Sequence, residues 1–230
     1  MLQAIIFDFD GVVIDSEPIH LECFRQVLRQ RYAIEITQQE YYERYIAYSD
    51  AESFEHMAED HGLTISALEV RGLVAEKTVL VQRVLRQGIE PLPGAAELMS
   101  AIRQAGLALG VCSSAARKEI EIPLEGMGLR PLVQEIVAAE DVVHSKPDPA
   151  CYDLARRKLG LQAGRELAPG NCIAIEDSPG GVASATGAGL RVLAVTNTVA
   201  AEKLRQAHRI VDSLAQVDVN LLRAMAEGEE

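Results

Sequence analysis

Two hydrophobic patterns alternate along the chain. Short, nearly continuous apolar runs occur at residues 4–9 (AIIFDF), 107–112 (LALGVC), 135–138 (EIVA), 172–175 (CIAI) and 190–195 (LRVLAV), with a weaker one at 209–211. Runs of this kind predict parallel strands buried on both faces. Between them, apolar residues at helical spacing predict helices over 95–105, 115–127, 149–159 and 180–186. Pro123 should kink or shorten the second of these. Asp148 is expected to N-cap the third, with proline in its first turn, and Ser178-Pro179 opens the fourth in the same way. Strand–helix alternation of this form predicts an α/β fold built on a parallel sheet.

Residues 17–88 break the alternation. Helical spacing recurs there at 20–31, 38–45, 51–61 and 65–85, with no convincing strand. The pattern predicts a helical insertion at 16–88, set between two parts of a core, 1–15 and 89–230. The punctuated stretch 89–94 (IEPLPG) reads as the return linker. No internal repeat or low-complexity tract is seen, and residues 227–230 should fray.

Composition narrows the partners. The chain has 230 residues, 48% apolar and 24% charged, an ordinary globular balance for one domain with a modest insertion. Net charge is −12 and the pI about 4.9, without a basic stripe, so no nucleic acid is expected as partner. The acidity also opposes anionic membranes. No apolar run approaches the ~18 residues needed to span a bilayer. The opening MLQAIIFDFD lacks a basic n-region and is broken by Asp8 and Asp10, so it is read as no signal peptide. Cys23, Cys112, Cys151 and Cys172 are scattered without a C-x-x-C pair, which predicts reduced thiols in a cytoplasmic protein. An anionic small molecule stays possible, because a local lysine and a cation can override the global field.

The chemistry concentrates at the ends of the apolar runs. Asp8-Phe9-Asp10-Gly11-Val12-Val13 sets two carboxylates at the C-terminal end of the first strand, where open α/β sheets bind ligands. Paired acids can hold a hard divalent cation and divide nucleophile from acid/base work. Gly11 permits a sharp departure of the chain. The plainer reading is two aspartates capping a turn, but unpaired acids at buried strand ends are costly. Glu176-Asp177-Ser178-Pro179-Gly180-Gly181 repeats the arrangement after another apolar run. Asp177 alone could be a helix N-cap. Four acids converging would repel strongly without a cation, which favours a Mg2+ site at Asp8, Asp10, Glu176 and Asp177. Ser113-Ser114 ends the LALGVC run, either as a helix cap or as an anion site. Lys146, one of five lysines, lies in the stiff loop Ser145-Lys146-Pro147-Asp148-Pro149. By itself it would be an ordinary solvated lysine.

Together these elements resemble the haloacid dehalogenase-like hydrolase superfamily. Asp8-Phe9-Asp10-Gly11-Val12-Val13 matches its first motif, Ser113 the second, Lys146 the third and Glu176-Asp177 the fourth. The resemblance covers essentially the whole chain. It implies a Rossmann-like three-layer core, and an inserted helical cap of the type found in β-phosphoglucomutase-like and phosphoglycolate phosphatase-like members. It further implies roles. Asp8 would form an aspartyl-phosphate and Asp10 would act as acid, then base. Mg2+ would be held by Asp8, the Asp10 carbonyl, Asp177 and Glu176. Ser113 would bind phosphoryl oxygens and Lys146 would offset their charge. Gly11, Ser114, His20 and Lys77 would contact substrate.

Asp10 argues against dehalogenation, since the dehalogenases of that family lack the second acid. Phosphonate hydrolysis uses a lysine early in the cap, whereas Lys77, the only lysine of the insertion, lies late. Glu17-Pro18-Ile19-His20 and Lys77 resemble the mutase-like branch, but Asp50 stands where that branch uses arginine to grip a distal phosphate. An acid there should repel a bisphosphate. The expected function is therefore a Mg2+-dependent phosphatase of a small phosphorylated metabolite, a monomer or weak homo-oligomer. A sugar-phosphate mutase and a non-catalytic phosphate binder are the alternatives.

Overall fold

A computed structural model describes residues 1–46 and 48–228. The chain divides into two compact units, Met1–Asp15 with Gly88–Glu230, and Ser16–Gln87.

The first unit is built on a six-stranded, all-parallel sheet. Its strands are β1 (Ala4–Phe7), β2 (Ala108–Cys112), β3 (Glu135–Val137), β4 (Cys172–Glu176), β5 (Arg191–Val195) and β6 (Arg209–Val211), in the order β3-β2-β1-β4-β5-β6. All six apolar runs form strands. β1 is shorter than its run, because the chain turns at Asp8. The order reverses between β1 and β4, which opens a crevice at their carboxyl ends. The register pairs Phe7 with Ile175, and the Asp8 amide donates to the Ile175 carbonyl at 2.9 Å. That register brings the acids after β1 level with those ending β4.

Alternate strand residues serve opposite faces. Ile5, Phe7, Leu109, Val111, Ile173, Ile175 and Leu193 enter one core, together with residues of α5 (Ala95–Gln104), α6 (Arg117–Gly126) and α9 (Val219–Glu227). Ala4, Ile6, Cys112, Cys172, Ala174 and Ala194 face the other, with α7 (Ala150–Gln162) and α8 (Pro179–Gly187). The second face is made largely of small residues, which leaves room for the ring of Tyr152.

Two helix starts differ from expectation and one agrees with it. α7 is N-capped by Pro149, and Asp148 instead accepts from the Ala150 amide at 2.9 Å. α6 begins at Arg117, with Ala116 at its N-cap, so neither Ser113 nor Ser114 caps it. It runs through Pro123 and ends three residues later, held by buried Ile120 and Leu124 on its core face. α8 opens as expected at Ser178-Pro179, with Ser178 as its N-cap, so the plainer reading of Asp177 as a helix cap does not hold.

The second unit contains α1 (Glu17–Tyr32), α2 (Gln38–Glu40), α3 (Asp50–Asp60) and α4 (Ala67–Leu85). The stretch expected as one helix over 38–45 is α2 followed by a π-helical turn, Tyr41–Tyr45. Capping boxes start three of these helices, at Thr37/Glu40, Ser49/Glu52 and Ser66/Glu69, each satisfying amides that a helix start leaves open. Phe24 packs edge-on against Phe54, with ring centroids 4.9 Å apart, at the centre of this unit. The fraying expected at 227–230 falls partly outside the described residues, at Glu229 and Glu230. Glu227 ends α9, and Gly228 closes it in the left-handed region.

Candidate active site

Asp8 follows β1 and is buried. Its Oδ1 accepts from Lys146 Nζ at 2.7 Å. The same ammonium donates to Oε1 of Glu176 at 2.6 Å and to the Cys112 carbonyl at 3.0 Å. Lys146 therefore ties the ends of β1, β2 and β4 together. It reaches them from the loop before α7, in which the Lys146–Pro147 peptide is cis.

Glu176 is fully buried and all of its contacts are to chain donors. Oε1 also accepts from the Tyr152 hydroxyl at 2.6 Å, and Oε2 accepts from the Asp177 amide at 3.2 Å and from Ser178 Oγ at 3.1 Å. A Cβ on Gly181 would collide with this carboxylate, so α8 can approach it only with glycine there. Asp177 is held by Thr198, whose hydroxyl donates to Oδ2. Asn197 donates to the Gly11 carbonyl at 2.8 Å. Gly11 has φ of +76°, and a side chain there would strike both Asp177 and Thr198. Glycine is thus required twice over, by conformation and by space.

Carboxylate oxygens of Asp8, Glu176 and Asp177 lie within 4.8 Å of one another, all buried. One lysine faces three acids. Burial, then the charge of Glu176, pushes the Asp8 carboxyl well above its usual range, against the opposing pull of Lys146. Burial likewise lifts Asp177 to about 7; the Thr198 hydrogen bond opposes it and Glu176 adds to it. For Lys146, burial works against the charge, but Asp8 and Glu176 outweigh it and raise the ammonium. The cluster carries more negative charge than its lysine balances. All-oxygen, crowded carboxylates are the donor set that suits Mg2+, and an ion there would relieve the repulsion.

Ser113 donates to Oδ2 of Asp10 at 3.2 Å and accepts from the Ala115 amide at 2.9 Å. Ser114 beside it is exposed. Asp8, Asp10, Gly11, Ser113, Lys146, Glu176 and Asp177 are therefore gathered around the carboxyl ends of β1, β2 and β4.

His20, Lys77 and Asp50 come together in the second unit. Lys77 is fully buried, with Nζ 2.5 Å from Asp50 Oδ1, 2.8 Å from His20 Nδ1 and 4.2 Å from the centroid of the Phe24 ring. Asp50, expected to repel a second phosphate, pairs with Lys77 within its own unit.

Sequence reasoning missed Tyr152, Asn197 and Thr198. Tyr152 had one readable signal, a tyrosine one turn into the helix that follows Lys146. Asn197 and Thr198 lie in a loop beyond β5, and nothing local marks them.

The sequence matches the family described as haloacid dehalogenase-like hydrolase over residues 5–195. Among curated relatives, fructose-1-phosphate phosphatase YqaB of Escherichia coli is 30% identical over 187 residues, 81% of this chain and 93% of that protein. Validoxylamine A 7'-phosphate phosphatase of Streptomyces hygroscopicus is 28% identical, covering 94% of this chain and 96% of its own length. Among solved structures, CbbY from Rhodobacter sphaeroides in complex with xylulose-(1,5)bisphosphate superposes with a TM-score of 0.85 at 25% identity, over 96% of this chain and 99% of that one.

Proposed function

The chain belongs to the haloacid dehalogenase-like hydrolases, and from that membership we propose that it is a Mg2+-dependent phosphatase of a small phosphorylated metabolite, working through an aspartyl-phosphate. The observation that carries the reading is Lys146 bridging Asp8 and Glu176 beside Asp177, a cluster with surplus negative charge at the sheet's switch point. The phosphatase names of the two curated relatives support hydrolysis over isomerisation, and sugar phosphates as the substrate class.

In this reading Asp8 supplies the nucleophilic oxygen, and the P–O bond to the leaving group breaks as the Asp8–P bond forms. Asp10 gives its proton to the leaving oxygen, then takes one from the water that splits the acyl phosphate, so phosphate leaves and Asp8 is restored. Ser113, bonded to Oδ2 of Asp10, orients that acid. Lys146 offsets the charge of the incoming phosphoryl group. Asp8, Asp177 and the Asp10 carbonyl would hold Mg2+, which supplies further charge compensation at the transferring phosphoryl group. Glu176, with both oxygens taken by chain donors, acts mainly as counter-ion to Lys146 and would reach the metal through water. The helical unit Ser16–Gln87 would serve as the cap that selects substrate, with half-buried His20 its recognition residue; Lys77, expected to contact substrate, is instead fully buried and would act by holding His20 and Asp50 in place.

No helix among the described residues is long and apolar enough to cross a membrane. The four cysteines are all free and buried, which supports a reducing compartment such as the cytoplasm.

The test is release of phosphate from p-nitrophenyl phosphate with Mg2+, followed by a panel of sugar mono- and bisphosphates. Mg2+-dependent turnover supports the reading. No turnover on any substrate would return it to a phosphate binder, and interconversion of hexose monophosphates faster than phosphate release would make it a mutase.

A further inference from the structure

Lys146 has three N–H bonds and four acceptors around it: Asp8 Oδ1, Glu176 Oε1, the Cys112 carbonyl, and the Tyr152 hydroxyl at 3.3 Å. An ammonium on a flexible stem has no directional preference of its own. Glu176 is wholly buried, whereas the Asp8 side chain keeps some exposure. Both carboxylates hold the one ammonium, Asp8 Oδ1 at 2.7 Å and Glu176 Oε1 at 2.6 Å, so the two compete for Nζ and its placement on Asp8 depends on what else occupies Glu176.

Tyr152 enters that competition on the Glu176 side. Its hydroxyl donates to Oε1 of Glu176 at 2.6 Å, the oxygen that Lys146 also uses, and so takes part of that oxygen's accepting capacity. Its ring lies against the ammonium, with Nζ 4.8 Å from the centroid. Burial and the Glu176 charge raise the phenol, so it stays a donor. The ring itself is fully buried on the small-residue face of the sheet. We infer that Tyr152 is a positioning residue, which shares out Glu176 so that the Lys146 ammonium stays on Asp8. The inference rests on the phosphatase reading above.

The test is Tyr152→Phe, which keeps the ring and removes the hydroxyl. For p-nitrophenyl phosphate, kcat should fall about ten-fold, the size expected when a hydrogen bond to a buried charge is lost. KM should rise by less than kcat falls, because the displaced ammonium meets the phosphoryl group already in the bound state and matters more as that group transfers. In a Lys146→Met background, Tyr152→Phe should cost nothing further, since its route to the chemistry is gone. Affinity for inorganic phosphate, measured by calorimetry, should show the same coupling, and this readout needs no turnover. A wild type that hydrolyses nothing would overturn the phosphatase reading, while the phosphate titrations would still judge Tyr152. Full kcat in Tyr152→Phe, losses that multiply in the double variant, or a loss explained by a lower Tm alone would overturn the inference.

Discussion

Each unit holds a buried lysine, and the two are answered differently. Lys77 meets one carboxylate, Asp50, with a histidine and an aromatic ring completing its surroundings. Lys146 sits among three carboxylates, two of them in direct contact. The first arrangement is one charge against one, the form in which a buried ion pair is tolerated by a fold. The second leaves surplus negative charge: burial raises the Asp8 and Asp177 carboxyls, and the charge of Glu176 raises them further. A fold gains nothing from such crowding. In the proposed phosphatase it is the place where a cation and a phosphoryl group would meet.

The comparison breaks most sharply at Asp8. Asp8→Asn should abolish turnover, by about 10⁴-fold or more, as loss of a nucleophile does. It removes one crowded charge, so the metal-free protein should melt no lower than wild type. Near-normal rates in steady-state assays would end the covalent mechanism.

Lys146→Met comes next, with a fall of about 10²-fold in kcat, comparable to losing one electrostatic contact to the transition state. A rate within two-fold of wild type would show that the bridge to Asp8 and Glu176 is structural only.

For the metal, excess EDTA should silence the wild type, and Asp177→Asn should raise the Mg2+ concentration for half-maximal rate by about tenfold or more. Metal titrations of activity check both. Full activity in EDTA would remove the reason given for the acid surplus.

The smallest effect is expected in the balanced pair. Lys77→Met leaves Asp50 without its partner, but Asp50 keeps a side-chain exposure of 35%, which softens the loss. The expected cost is about 1–2 kcal/mol, below the figure for a fully buried broken pair. Adding Asp50→Asn should recover part of it. Thermal melts of the single and double variants read this directly, and a double variant less stable than Lys77→Met would show that Asp50 works through another contact.

Strands β1 to β5 were legible because a buried parallel strand must be apolar almost continuously, and little else in this chain is; β6, an edge strand that begins at exposed Arg209 and is only half-buried beyond it, gave a weaker signal for the same reason. Asp8, Asp10 and Asp177 were legible for the converse reason: acids at the ends of such runs are costly unless used. Lys146 was legible only through the family resemblance, because a lysine in the loop before Pro147 reads by itself as an ordinary solvated residue. What stayed hidden depended on distance through space. Tyr152 looks like one more core aromatic until β4 brings Glu176 to its hydroxyl. Thr198 and Asn197 reach Asp177 and Gly11 only because the parallel pairing of β4 with β5 carries their loop there. Asp50 read as a bare acid because its partner Lys77 lies 27 residues away, on another helix. Periodicity along the chain determined which segments are strands and which helices, since burial of one face imposes it locally. The sharing of hydrogen bonds and charge among buried groups was decided by the tertiary structure alone, because such groups choose partners by proximity in a low-dielectric interior, and sequence spacing does not encode that proximity.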